Sequence, residues 1–267
     1  NLVWDEGVDS DQVATASDGA FSVSVADIPD GVTPNIVVVS TAATVDTSSG
    51  LIVGENFKLT APGDASKSAD LAVTPVTTLL TSGDLSEADV AAALGLEDVD
   101  NLLNYNPYED TNSARALKAE QTSHQVMNVL STLQAAGETA GLTAEASLEN
   151  SLKAFTEVIK VATAANPINL TDATADNAVG LDALADSFVA LVEADNSADA
   201  GKVANLKTVT SDVLTGVSIV NERVEAAALV DGKLPTDLSE FVSTTNKLIA
   251  DVAIAVDLGN TDDFYIK

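Results

Sequence analysis

Cysteine is absent from the 267 residues, so no disulfide framework, thiolate nucleophile or cysteine-ligated zinc belongs to this protein. Histidine occurs once, at His124, and tryptophan once, at Trp4. A single imidazole excludes a multi-histidine metal centre, and nothing in the local sequence around His124 supplies the nucleophile a Ser-His-Asp triad needs. Basic residues are scarce: 12 Lys and Arg stand against 41 Asp and Glu, a formal charge of −29, and none precedes Lys58. Such a surface repels polyanions, which argues against nucleic acid and anionic lipid as partners. No apolar run approaches the roughly 20 residues of a membrane-spanning helix, and no signal-peptide pattern opens the chain. No glycine-rich phosphate fingerprint is formed around Gly141, Gly180 or Gly216.

Apolar residues make up 46% of the chain, and their periodicity is clean enough to argue for a folded protein rather than a disordered polyanion. The texture changes at Val73-Thr74-Pro75-Val76-Thr77-Thr78-Leu79-Leu80. Before it, turn-punctuated β patterns dominate. Phe21, Val23 and Val25 alternate after a Ser17-Asp18-Gly19 turn, as in a half-buried strand of a hairpin. The run Ile36 to Thr41 is the strongest strand signal, and its uninterrupted β-branched character predicts a central strand. Leu51 to Val53 and Phe57 to Pro62 complete a set of four or five short strands. The expectation is a small Ig-like β-sandwich over residues 1–70, thin because such a sandwich takes about seven strands to close.

After the change of texture the period becomes helical. Ser86 opens a helix that Gly95 ends, and a longer helix carries Ala119, Val126, Val129, Leu130 and Leu133 as far as Gly137. Leu148, Leu152, Phe155, Ile159 and Ala162 follow at steps of four, three, four and three, one buried stripe that Asn166-Pro167 stops. Further stripes run through Leu181, Leu184, Phe188 and Leu191, through Val203, Leu206, Val213, Val217, Val220 and Val224, and through Leu238, Phe241, Thr245, Leu248, Val252 and Val256. Five major helices with short polar joints predict an antiparallel α-helical bundle over 71–267, with a candidate C-terminal strand at 263–267. The fold class is therefore α+β.

Ala16-Ser17-Asp18-Gly19-Ala20-Phe21, Ile36 to Ser40, Leu59-Thr60-Ala61-Pro62 and above all Val73 to Leu80 resemble a module repeated in large secreted bacterial surface proteins and adhesins, related to the carboxypeptidase-regulatory-like sandwich. In those proteins a similar Ala-rich helical section follows, with a phrase like Tyr105-Asn106-Pro107-Tyr108. The resemblance implies an extracellular or cell-surface protein without enzymatic activity. It also implies that a first strand precedes the position of Asn1-Leu2-Val3-Trp4-Asp5-Glu6, so that the sheet here has an open edge. Open edges recruit strands from other chains. Phe264, Tyr265 and Ile266, following a Gly259-Asn260 break, are the candidate donor; the alternative is a tail packed on its own bundle. Donation from copy to copy does not close on itself and builds a filament.

Asp5, Glu6, Asp9 and Asp11, with Asp18 nearby, form the best cation constellation, because Ca²⁺ takes several oxygen ligands from a flexible loop. Their spacing does not match an EF-hand. With Trp4 as a stacking platform, this loop would suit calcium-dependent recognition of a surface glycan or protein, although a lone Trp beside a strand is more often a core anchor. Asp98, Asp100, Glu109 and Asp110 form a weaker acidic group, read as helix-terminus and loop charges. Asn169-Leu170-Thr171 matches the N-glycosylation acceptor pattern, which has meaning only where the chain passes a secretory pathway that uses it. The sequence thus points to a non-enzymatic surface module or filament subunit, with a calcium-dependent binding module as the alternative.

Overall fold

The computed structural model describes residues 14–16, 19–22, 35–45, 58–63, 71–82, 85–173, 178–231 and 239–260, the side chains of 211, 239–243 and 245–246 excepted. Over these residues the chain is mixed α+β and mostly helical, with a small antiparallel sheet of two strands, β1 (Asn35–Val39) and β2 (Lys58–Pro62). The helices are α1 (Pro75–Thr78), α2 (Glu87–Leu94), α3 (Ser113–Thr139), α4 (Ala144–Ile159), α5 (Leu181–Ala194), α6 (Ala200–Glu225) and α7 (Ser239–Leu258). Short 3₁₀ turns at Leu79–Ser82 and Leu102–Asn104 continue α1 and precede the α3 loop. Among the described residues no helix is long and apolar enough to cross a membrane.

The helix boundaries follow from capping chemistry. Thr74 and Thr77 form a reciprocal capping box around Pro75, whose missing N–H costs nothing at the first helical position. Ser86 and Asp89 form a second box at α2. Gly95, at φ 65°, lets the amides of Gly95 and Leu96 fold back on Ala92 and Ala91, so α2 ends where the sequence indicates. Helix α3 runs past Gly137, contrary to expectation, and closes at Gly141, φ 101°, where Leu142 N–H reaches Gly137 O and Gly141 N–H reaches Glu138 O. Gly137 is instead a packing residue: a Cβ there would lie 2.2 Å from Ser147 Oγ and 3.1 Å from Phe188 Cζ. Helix α4 stops at Ile159, well before Asn166-Pro167; a turn at Lys160 and Val161 follows, and Ala162 N–H still reaches back to Val158 O at 3.1 Å.

Helix α3 packs against α4, α6 and α7, while α5 touches α4 and α6. Side-chain bonds from Gln121 to Glu225 O and from Gln125 to Asn221 O fix α3 and α6 as antiparallel neighbours. The apolar stripes meet in one continuous core from Val76 to Val256, with Phe155, Phe188, Leu148, Leu181 and Leu248 almost wholly buried. Leu238 lies outside the described residues, as do the side chains of Phe241 and Thr245.

The sheet is joined to this body differently. β1 and β2 pair in register Asn35↔Pro62, Ile36↔Ala61, Val37↔Thr60, Val38↔Leu59 and Val39↔Lys58. None of the buried members of the main apolar core comes from the described strand residues. β1 is half-buried in a two-stranded ladder, with Val39 50% exposed, so over the described residues it is not the central strand that its sequence predicts. Ala16 N–H bonds to Ala20 O at 2.7 Å and Gly19 N–H to Ala16 O at 3.0 Å, with Gly19 at φ 81°; Ser17 and Asp18 of the expected turn, and Val23 and Val25 of the expected strand, lie outside the described residues.

Candidate functional site: the strand clamp and the tyrosine loop

The Val73 to Leu80 segment is a clamp on β2. A residue's N–H and C=O point to the same side of a strand, and at Thr60 both point away from β1. Thr60 N–H donates to Thr78 Oγ1 at 2.9 Å, and Thr78 Oγ1 lies 3.1 Å from Thr60 O. Thr60 Oγ1 and Thr81 Oγ1 are 2.8 Å apart. Thr77, committed to the capping box, also donates to Ala72 O at 3.1 Å. Thr60, Thr77 and Thr78 are fully buried, so these hydroxyls replace a neighbouring strand along the outer edge of β2. At the end of β2, Lys58 Nζ meets Glu145 Oε1 on α4 at 2.8 Å, and the lysine hydrogen bond lowers the Glu145 carboxyl below its ordinary range.

The same alternation describes β1. Val37 faces Thr60, so its backbone groups also point away from the ladder, as do those of Asn35 and Val39 two residues either side. Pro62 opposite Asn35 fits, since that position needs no N–H. Among the described residues nothing pairs with this outer edge of β1. Threonines close one edge of the sheet, and among the described residues no strand lies along the other.

The second polar centre is the loop before α3. Asp110 receives Arg115 Nε at 2.6 Å and Nη2 at 2.9 Å, the Tyr105 hydroxyl at 2.6 Å and the Asn112 N–H at 2.8 Å. These bonds, the guanidinium first, hold its carboxyl far below the usual carboxylate range. Desolvation, followed by the adjacent Asp110 carboxylate, pushes the Tyr105 phenol up to about 12. Arg115 Nη1 reaches Asp98 O at 3.3 Å. One step further along, Tyr108 donates to Glu120 Oε1 at 3.0 Å, and His124 Nε2 lies 3.4 Å from the same oxygen. His124 is thus a half-buried residue of α3 attached to its own helix.

A third centre lies inside the bundle. Asn221, fully buried on α6, accepts from Asn128 Nδ2 at 2.8 Å and donates to Leu170 O at 2.7 Å. It ties α3, α6 and the loop before α5 together.

The structure does not gather the Asp98, Asp100, Glu109 and Asp110 group into a cation cage: Asp110 is taken by Arg115 and Tyr105, and the other three are exposed. Among the described residues no group of three or more acidic or histidine side chains is placed to hold a metal. Asp5, Glu6, Asp9 and Asp11, Trp4 and Asp18, and the candidate donor Phe264, Tyr265 and Ile266 lie outside the described residues. A cavity of about 20 Å³ between α3, α5 and α6, walled by Leu133, Phe188 and Val213, has room for a single water and no larger ligand. A groove between α2 and the end of α4 carries Asp89 and Lys160, yet Ser86 holds Asp89, lowering its carboxyl, and Glu157 holds Lys160.

No family model, curated protein or solved structure matches the chain. Its functional reading rests on the geometry above and on the sequence. The residues that sequence reasoning did not single out individually are Thr60 and Thr78, Arg115, and the pair Asn128 and Asn221. A signal existed for the last: Gln121, Gln125 and Asn128 follow helical spacing beside the apolar stripe of α3.

Proposed function

We propose that this chain is a non-enzymatic structural protein of the bacterial cell surface, a surface-adhesin module or a filament subunit joined by strand donation. In this reading the first seventy residues form an Ig-like sandwich, of the kind related to the carboxypeptidase-regulatory-like domain, and the helical bundle is its rigid support. The observation that carries the proposal is the asymmetry of the sheet: threonine hydroxyls close β2, while the outer edge of β1 at Asn35, Val37 and Val39 is open among the described residues. An open edge offers a row of backbone donors and acceptors to an extended segment. Phe264, Tyr265 and Ile266 of another copy have the aromatic and β-branched character such a segment needs. The strongly bonded polar side chains of the described residues brace the fold, which favours an architectural role over a chemical one.

Electron microscopy of the full chain, in concentrated salt to screen its charge, tests assembly without a ligand. Filaments that disappear when residues 264–267 are deleted are the expected result. Isolated particles at every concentration would remove strand donation between copies and leave the adhesin module.

A further inference from the structure

The only Asn-x-Ser/Thr sequence in the chain, with a residue other than proline between, is Asn169-Leu170-Thr171, in the connection between α4 and α5. A short pattern alone is weak, but its conformation here is specific. Ile168 and Leu170 are buried on either side, and Asn169 between them is exposed. The neighbours are anchored by their backbones, Ile168 N–H to Ala93 O at 2.7 Å and Leu170 O to Asn221 Nδ2 at 2.7 Å. Asn169 N–H itself bonds to Val179 O at 2.9 Å. The alternation therefore holds this one side chain outward.

The amide is also oriented. Asn169 Oδ1 accepts from Thr171 N–H at 3.0 Å and from Thr171 Oγ1 at 2.8 Å. A backbone N–H can only donate, so the atom facing it is the oxygen, and the planar amide then turns Nδ2 away from the turn. Among the described residues Nδ2 donates to nothing. The approach is open on the N-terminal side, where Thr163 to Pro167 are all exposed.

We infer that Asn169 is an acceptor for an N-linked glycan. The donor is an oligosaccharide activated as a polyprenyl phosphate or diphosphate. Nδ2 forms the bond to the anomeric carbon, the anomeric C–O bond to the lipid phosphate breaks, the phosphate leaves with the electron pair, and the Nδ2 proton passes to a base of the transferase. No oxidation or reduction occurs. Thr171 donates to the amide oxygen, which makes the Nδ2 protons more acidic and so eases their passage to the base, and it fixes the turn that presents them. Because the flanking apolar residues face inward, a glycan here projects from the surface without displacing the core.

The inference rests on the extracellular reading, and one experiment separates the two. The full chain is directed by an added signal sequence into a eukaryotic secretory host, and the secreted protein is weighed intact and as peptides. The expected result is a mass above that of the bare chain, located on the peptide containing Asn169 and removed by peptide-N-glycosidase. Asn169→Gln and Thr171→Ala should lose it completely, while Thr171→Ser, which keeps the hydroxyl, should retain it. Secreted wild-type chain at its bare mass overturns the acceptor site whatever the natural location. Fractionation of the cells that naturally make the protein reads the location separately.

Discussion

Single side chains in this fold are held to tight tolerances where helices meet. Gly137 is the clearest case, because Ser147 Oγ already occupies the space its Cβ would need. The serine cannot simply rotate away, since its hydroxyl donates to Gln134 O at 2.7 Å. Gly137→Ala should destabilise by about 1–3 kcal/mol, the usual cost of overpacking, despite the higher helix propensity of alanine; urea unfolding checks it. Asn221 is constrained by polarity. Asn221→Leu takes away the acceptor of Asn128 Nδ2 and the donor to Leu170 O, and a buried carbonyl left without its donor costs about 1–3 kcal/mol. A leucine that left stability unchanged would show that water reaches this network. Asp110 and Tyr105 set the pH limits of their loop. The Asp110 carboxyl is depressed when folded, so its contribution is present above the ordinary carboxylate value and lost as pH falls from about 4 toward the depressed folded value. Tyr105 is raised, so its contribution is present below about pH 10 and lost as pH climbs toward its folded value of about 12. Tyr105→Phe should flatten the alkaline limb of the stability curve, and Asp110→Asn the acid limb. Unchanged limbs in thermal melts across pH would disconnect the loop from folding.

At the scale of elements, the two-stranded sheet depends on α1 through hydroxyls rather than through the main apolar core. Thr78→Val keeps shape and volume but leaves Thr60 N–H without its acceptor, at about 1–3 kcal/mol. Hydrogen exchange should show Thr60 exchanging faster while amides in α4 and α5 stay protected. Equal acceleration everywhere would mean that sheet and bundle unfold as one. The dependence also explains what the sequence disclosed. The stripes of α4, α5 and α6 were legible because burial repeats at helical spacing, and Leu148, Leu181 and Val213 lie where the period places them. Gly137 misled because glycine serves both as a helix stop and as a site of close approach, and only the partner helix decides between them. The strand signals at Ile36 and Leu59 located β1 and β2, but composition alone could not tell a central strand from one in a two-stranded ladder. The Val73 to Leu80 phrase stood out as a motif; that its threonines bond to a strand required the fold.

Across the whole molecule the governing quantity is charge. The chain carries −29 at neutral pH, and several of its basic side chains sit in pairs such as Lys153–Glu149, Lys202–Asp257 and Lys207–Glu193. Those exposed pairs contribute about 0–1 kcal/mol each, and salt weakens them. The surplus carboxylates repel one another over the screening distance, which is about 10 Å at 0.1 M salt and about 3 Å at 1 M. Uncompensated repulsions outnumber the pairs, so screening relieves more than it removes. The Tm of the full chain should therefore rise as sodium chloride goes from low concentration toward about 1 M, where exposed charges separated by more than about 3 Å are screened. Filaments, if they form, should need the same screening, because each added copy brings its own excess of negative charge to the contact. Calorimetry across the salt series decides the first point and light scattering of the same samples the second. A Tm that falls with salt would mean that the ion pairs outweigh the surplus, and assembly at low salt would mean that the strand contact is strong enough to overcome the repulsion unaided.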